Sequence, residues 1–138
     1  MIEQGLQQEI NMVMTEARNR RLEFVTVEHL LLALLNMDEV VAFLRGKRVN
    51  IDELRAELDQ YIDSHTPIIS EDAEIDIVPT VGFQRVLQRS VYQAQSAQKN
   101  SVNAMNVFVS IFSEKESHAV YMLKLNNISR LDVMEGIS

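Results

Sequence analysis

The residues of this chain that could do chemistry are few and scattered. His29, His65 and His118 are its three histidines. An imidazole can act as a general base or bind a metal near neutral pH. His29 follows Glu28, but no HExxH spacing occurs, so the zinc-hydrolase pattern of two ligands one helical turn apart is missing. A nucleophilic serine would need a base and an oxyanion site, and no segment marks one. The chain has no cysteine, which removes disulfides, thiol catalysis and thiolate metal sites and fits a reducing cytosol. Gly5, Gly46, Gly82 and Gly136 stand alone, so there is no glycine-rich phosphate loop. A small hydrolase using His29 or His118 is therefore a poor reading, and no catalysis is expected from this chain by itself.

Charge offers more. Glu23 and Glu28 bracket Phe24-Val25-Thr26 at the entry to a leucine-rich segment. Acidic residues favour helix N-termini through the macrodipole, which accounts for Glu28 well and for Glu23 less well. The sharper reading is an exposed anionic pair for a basic partner. Arg85 lies in Phe83-Gln84-Arg85-Val86-Leu87-Gln88-Arg89, where Phe83 and Leu87 take the core side and leave Arg85 and Arg89 outward. Thr80 follows Pro79, the ordinary place of a turn residue. His29, just before the leucine run, reads as a helix-start or partly buried residue.

Helices must position these groups. Leu6, Ile10, Val13, Met14 and Ala17 form one apolar stripe at helical spacing. Thr26 can cap a second helix over Leu30 to Leu35, apolar nearly all round and so buried. A third helix is expected over about Asp38 to Arg45, ended by Gly46. Asn50 or Asp52 opens a fourth, with Ile51, Leu54, Leu58, Tyr61 and Ile62 on its inner face. Pro67 to Val81 is irregular, acidic and bounded by prolines. Ile68, Ile69, Ile75, Ile77 and Val78 make it too apolar for a free tether, so it should pack along the surface, partly extended. Helices built on Phe83 to Ala94, on a segment capped by Asn103, on Ala119 to Leu123 and after Ser129 follow.

The chain also repeats itself. Leu6, Ile10, Met14 and Ala17 match Phe83, Leu87, Val91 and Ala94, each 77 positions later, and the leucine run matches Val107 to Phe112 at the same spacing. Val41, Leu44, Val49 and Leu54 match Val120, Leu123, Ile128 and Val133 at a spacing of 79. The fold expected is all-α, one domain of two pseudo-symmetric four-helix repeats: about 1–64, a linker 65–81, and 82–138. At 138 residues and 46% hydrophobic content, a single core is well supplied. The net charge of −7 and the lack of a basic stripe argue against nucleic acid. No apolar run approaches the roughly 20 residues of a membrane span, and the start lacks the order of a signal peptide. A soluble, cytoplasmic protein is expected.

Glu23-Phe24-Val25-Thr26-Val27-Glu28-His29 and the leucine run resemble the signature of the Clp N-terminal repeat domain, which precedes the ATPase modules of Clp-family AAA+ unfoldases. Phe83 to Arg89, Asn106-Val107, Ile111-Phe112-Ser113-Glu114, Glu116-Ser117 and Ser129 to Val133 extend the likeness over essentially the whole chain. They are most similar to the ClpA branch. The resemblance implies a bacterial domain that docks the small adaptor ClpS, through Glu23 and Glu28 on one side and Thr80 and Arg85 on the other, and helps recruit N-degron and other substrates. It further implies a parent chain that forms a hexamer and docks a ClpP-type protease. With no Walker A or Walker B sequence before Ser138, ATP and magnesium are expected only in ATPase modules beyond it, and no cofactor in this domain. Leu22 stands where some ClpA members carry a zinc-associated histidine, so no metal site is carried over. Gln98 stands where the family usually has glycine, so that turn is expected to differ. A second reading is direct capture of unfolded apolar segments in a groove between the repeats.

Overall fold

Side-chain caps set the starts of most helices in the computed structural model, which describes residues 1–74 and 76–137; Ile75, counted above in the linker, and Ser138 lie outside the described residues. The described helices are α1 (Gln4–Asn19), α2 (Val27–Leu34), α3 (Asp38–Gly46), α4 (Ile51–His65), α5 (Val81–Ser96), α6 (Ala104–Ile111), α7 (His118–Leu125) and α8 (Arg130–Ile137). Thr26 caps α2, and its backbone N–H donates to His29 Nδ1 at 3.0 Å. The second copy uses the same reciprocal box with different residues. Asn103 Oδ1 accepts from the Asn106 N–H at 2.9 Å, and the Asn103 N–H donates to Asn106 Oδ1 at 3.0 Å. Asn50, Thr80 and Ser117 accept from the backbone three residues on, each satisfying an N–H that the helix leaves orphaned. Ser129 does the same for Asp132, whose carboxylate returns the bond to the Ser129 N–H.

The duplication is written in the backbone as well. Arg21 and Gln98, 77 apart, have φ of 58° each, while Arg48 and Asn127, 79 apart, have 62° and 60°. All four follow a helix in the left-handed conformation that usually selects glycine, and no described glycine has positive φ. One expectation changes here. Gly46 is the last residue of α3 rather than its terminator, because the reversal falls on Arg48. Gln98 makes its turn in the left-handed conformation without a glycine, at a cost of about 1 kcal/mol for the Cβ. Gln98→Gly is expected to raise stability by about 0.5–1 kcal/mol, read as a higher denaturation midpoint at unchanged slope. A lower midpoint would contradict the strain.

α2 and α6 form the centre of the core, with Leu30, Leu31, Leu34, Val107, Phe108 and Ile111 almost fully buried. α1 packs on α2, α5 on α6, and the two central helices meet each other. The copies interlock at their far ends too. Phe108 lies edge-on to Phe43 of α3, with ring centroids 6.0 Å apart. Gly136 of α8 lets that helix approach the same ring, since a Cβ there would sit 2.9 Å from Phe43 Cδ1. The stripes are less uniform than their spacing implies: Val13, Met14, Leu87 and Val91 are only half-buried. Ser90 is fully buried and its hydroxyl donates to the Val86 carbonyl at 2.8 Å.

The linker packs as expected and adds the only described sheet. β1 (Phe24–Val25) pairs in parallel with β2 (Val78–Pro79), Phe24 opposite Val78 and Val25 opposite Pro79. Arg21 fastens the linker. Its backbone carbonyl accepts from the Ile69 N–H, and its guanidinium donates to the carbonyls of Ile69, Ser70 and Ala73.

Candidate docking surface

The β1–β2 pair brings two of the four candidate residues to one edge. Glu23 enters β1, its N–H donating to the Pro67 carbonyl at 2.8 Å and its carbonyl accepting from the Val78 N–H at 3.1 Å. Both strands of this edge are thus held by main-chain bonds, and the Glu23 side chain is exposed. Thr80 leaves β2 with its N–H donating to the Val25 carbonyl at 2.9 Å, then caps α5 through its hydroxyl. The linker residues Glu71, Asp72, Glu74 and Asp76 are exposed as well, so Glu23 belongs to an anionic stretch longer than a single pair.

Glu28 departs from expectation. It does not stand beside Glu23 in solvent; it is buried, with 7% of its surface exposed. Its Oε2 accepts from the Ala119 N–H at 2.9 Å, in the first turn of α7. A carboxylate there satisfies an orphan N–H and complements the positive end of the helix. Glu28 therefore ties the start of α2, in the first copy, to the start of α7, in the second. It also lies close enough to Tyr61 of α4 that its charge adds to burial in pushing the phenol pKa up.

Arg85 is exposed, as expected, but not idle. Its Nε donates to Glu114 Oε2 at 3.0 Å and a terminal nitrogen donates to Oε1 at 2.6 Å, a bidentate pair. Arg89 turns inward toward the same carboxylate at 3.6 Å rather than outward. Glu114 sits over the start of α5 so closely that a Cβ on Gly82 would come within 3.1 Å of it. The bond from Arg85 first, then the charges of Arg85 and Arg89, hold the Glu114 carboxyl below its ordinary range despite partial burial. Sequence reasoning gave Glu114 no role. The one signal available was asymmetry, because the position 77 before it is Met37.

Glu28 and Arg85 thus grip one loop from two sides. Arg85 holds Glu114, the Glu114 carbonyl accepts from Ser117 Oγ at 2.7 Å, and two residues later Ala119 is held by Glu28. Catalysis finds no comparable convergence. His29 is buried and spends Nδ1 as an acceptor in the α2 cap, which places the proton on Nε2, where it has no partner. Burial, then the Arg20 charge, lowers its pKa to about 4, so the ring is neutral at pH 7. His65 and His118 stack on opposite sides of Tyr61, with centroids 4.0 and 3.9 Å away. Among the described residues no group of three or more His, Cys, Asp or Glu could hold a metal ion, and no helix is long and apolar enough to cross a membrane.

Comparison with known proteins agrees with this architecture. A family profile described as the Clp repeat (R) N-terminal domain matches residues 1–126. A ClpA homolog protein of Fuscovulum blasticum is 35% identical over 134 residues, covering 96% of this chain but 17% of that protein. The chain thus spans about a sixth of that relative's length. Among solved structures, the Hsp104 N-terminal domain from Candida albicans matches with a TM-score of 0.81 at 12% identity, covering 98% of this chain and 87% of that one. The N-domain of ClpV from Vibrio cholerae matches at 0.77 with 13% identity, covering 99% and 82%. The N-terminal domain of the chaperone ClpD from Arabidopsis thaliana matches at 0.71 with 18% identity, covering 98% and 90%.

Proposed function

The chain belongs to the family of Clp repeat N-terminal domains, the interaction domains of Clp ATPases, and from that premise we propose that it docks a ClpS-type adaptor. The observation that supports this reading is the β1–β2 edge, a main-chain-braced platform that presents the exposed Glu23 carboxylate beside Thr80 and the first turns of α5. Glu23 steers and registers a basic adaptor face, Thr80 and Arg85 complete the contact along α5, and neighbouring packed surface supplies most of the affinity. Glu28 acts from behind, by fixing α2 against α7. In the parent protein the adaptor would bring N-degron substrates to ATPase modules arranged as a hexamer above a ClpP-type protease.

Because Glu28 is buried, the informative variant is Glu23→Lys alone. Titrated by calorimetry against purified ClpS, it is expected to bind at least about tenfold more weakly than the wild-type chain, with an unchanged melting temperature. Equal affinity would overturn the reading.

A second reading rests on the groove between α4 and α7, where the copies meet. Tyr61, His65, His118 and Met122 line it, with Tyr121 and Leu125 exposed one helical turn apart on its rim. It is the place where an unfolded apolar segment would bind directly. Saturable peptide binding that is lost in Tyr121→Ser with Leu125→Ser, and kept in Glu23→Lys, would favour it.

A further inference from the structure

At the opposite pole in charge, the second copy carries a pocket that the adaptor reading does not use. About 560 Å3 of space opens between the end of α6, α7 and the start of α8. Its floor is apolar: Phe112, Val120 and Ile128 are each more than nine-tenths buried. Its rim carries Lys115, Lys124 and Arg130, all exposed. None of the three side chains has an ion-pair or hydrogen-bond partner among the described residues, whereas Arg20, Arg55, Arg85 and Arg89 all have acidic partners. The nearest acidic group on α8, Asp132, is taken by the Ser129 N–H and hydroxyl and by Lys47. On a chain of net charge −7, three unpaired cations around one apolar recess are a local reversal of sign.

We propose that this pocket is a second docking surface, for an acidic protein segment that anchors one apolar side chain. The recess takes the anchor, since the floor atoms gain when water is displaced by hydrocarbon. The three cations take carboxylates flanking it, and by repelling basic segments they set which segments are accepted. The duplication sharpens the assignment. Lys115 corresponds to Asp38 at a spacing of 77, and Arg130 corresponds to Ile51 at a spacing of 79. Two of the three cations therefore exist only in the second copy, as Glu23 and Glu28 have acidic character only in the first. Each copy has diverged toward one sign, which suits a domain that receives partners of opposite charge on separate faces. Anionic lipid and nucleic acid are less suitable occupants, because among the described residues no cation stripe leads away from this single recess.

The test is fluorescence polarisation with a short labelled peptide bearing one Phe among Asp and Glu residues. The intact chain should bind it saturably, and affinity should fall as salt rises. Replacing the Phe by Ala should weaken binding at least about tenfold. The variant with Lys115, Lys124 and Arg130 all changed to Gln should lose it to a similar degree, with unchanged helical signal and melting temperature. Lys124→Arg with Arg130→Lys should retain it. No saturable binding, equal binding of the Ala peptide, an unaffected Gln variant, or tighter binding to phosphatidylserine vesicles or single-stranded DNA would each overturn the proposal. The Glu23→Lys variant should bind the peptide normally, which separates this surface from the adaptor edge.

Discussion

Glu28→Lys is expected to lower stability by about 3–5 kcal/mol, because it leaves a buried N–H without its acceptor and sets a cation against the positive end of α7. In a domain of this size that corresponds to a fall in melting temperature of roughly 10 °C or more. Glu28→Gln, which keeps an acceptor oxygen at the same distance, should lose about 1–2 kcal/mol, the difference between a charged and a neutral acceptor. The pair of variants separates charge from shape. A Lys variant that melts with the wild type would show Glu28 to be free in solution, and the link between α2 and α7 would fail with it. The consequence for binding experiments is direct. A variant carrying Lys at both Glu23 and Glu28 would lose adaptor binding through unfolding as well as through lost contact, so the two positions must be tested apart.

The second large effect is acid sensitivity centred on His29. Its pKa is about 4 in the folded chain against 6.5 when exposed. The sign follows from linkage: the unfolded chain binds the proton first, so stability is complete above about pH 6.5 and falls as pH drops toward 4. The full loss is about 3 kcal/mol, and it is in place below pH 4. His29→Asn gives the first copy the cap that Asn106 gives the second, and should remove this component while keeping α2 capped. Equilibrium denaturation at pH 7, 5.5 and 4 reads both. An identical acid dependence in the wild type and His29→Asn would place the sensitivity elsewhere. Glu114 works in the same direction at lower pH, since its depressed pKa means that its bonds to Arg85 are lost only on further acidification.

How far the sequence could be read depended on whether a residue answers to local or to distant neighbours. Helix starts at Thr26, Asn50, Asn103 and Ser129 were legible because a cap and its N–H are three residues apart. The duplication was legible because both copies need the same buried stripe. Glu28 was misplaced because its partner, Ala119, is 91 positions away, and nothing local separates a solvated helix-start acid from one that caps another helix. Arg89 turned inward for the same reason, drawn by Glu114 in a loop of the neighbouring unit. The reversal at Arg48 in place of Gly46 shows the limit of glycine as punctuation, since packing of Val49 into the core fixes the turn two residues later. Of the candidate site, Glu23, Thr80 and Arg85 were placed on the surface by pattern alone. Their common setting needed the β1–β2 pairing, whose strands are two residues each and carry no periodicity to detect.

The two copies share a scaffold, and the functional proposals lie where they differ. The most direct test is the amide footprint of ClpS on the isotope-labelled chain by nuclear magnetic resonance. Adaptor docking at the β1–β2 edge predicts perturbation of Glu23 to Val25, Thr80 and the first turns of α5, with Tyr121 and Leu125 unmoved. Perturbation centred on the α4–α7 groove, with Glu23 and Thr80 unmoved, would contradict it.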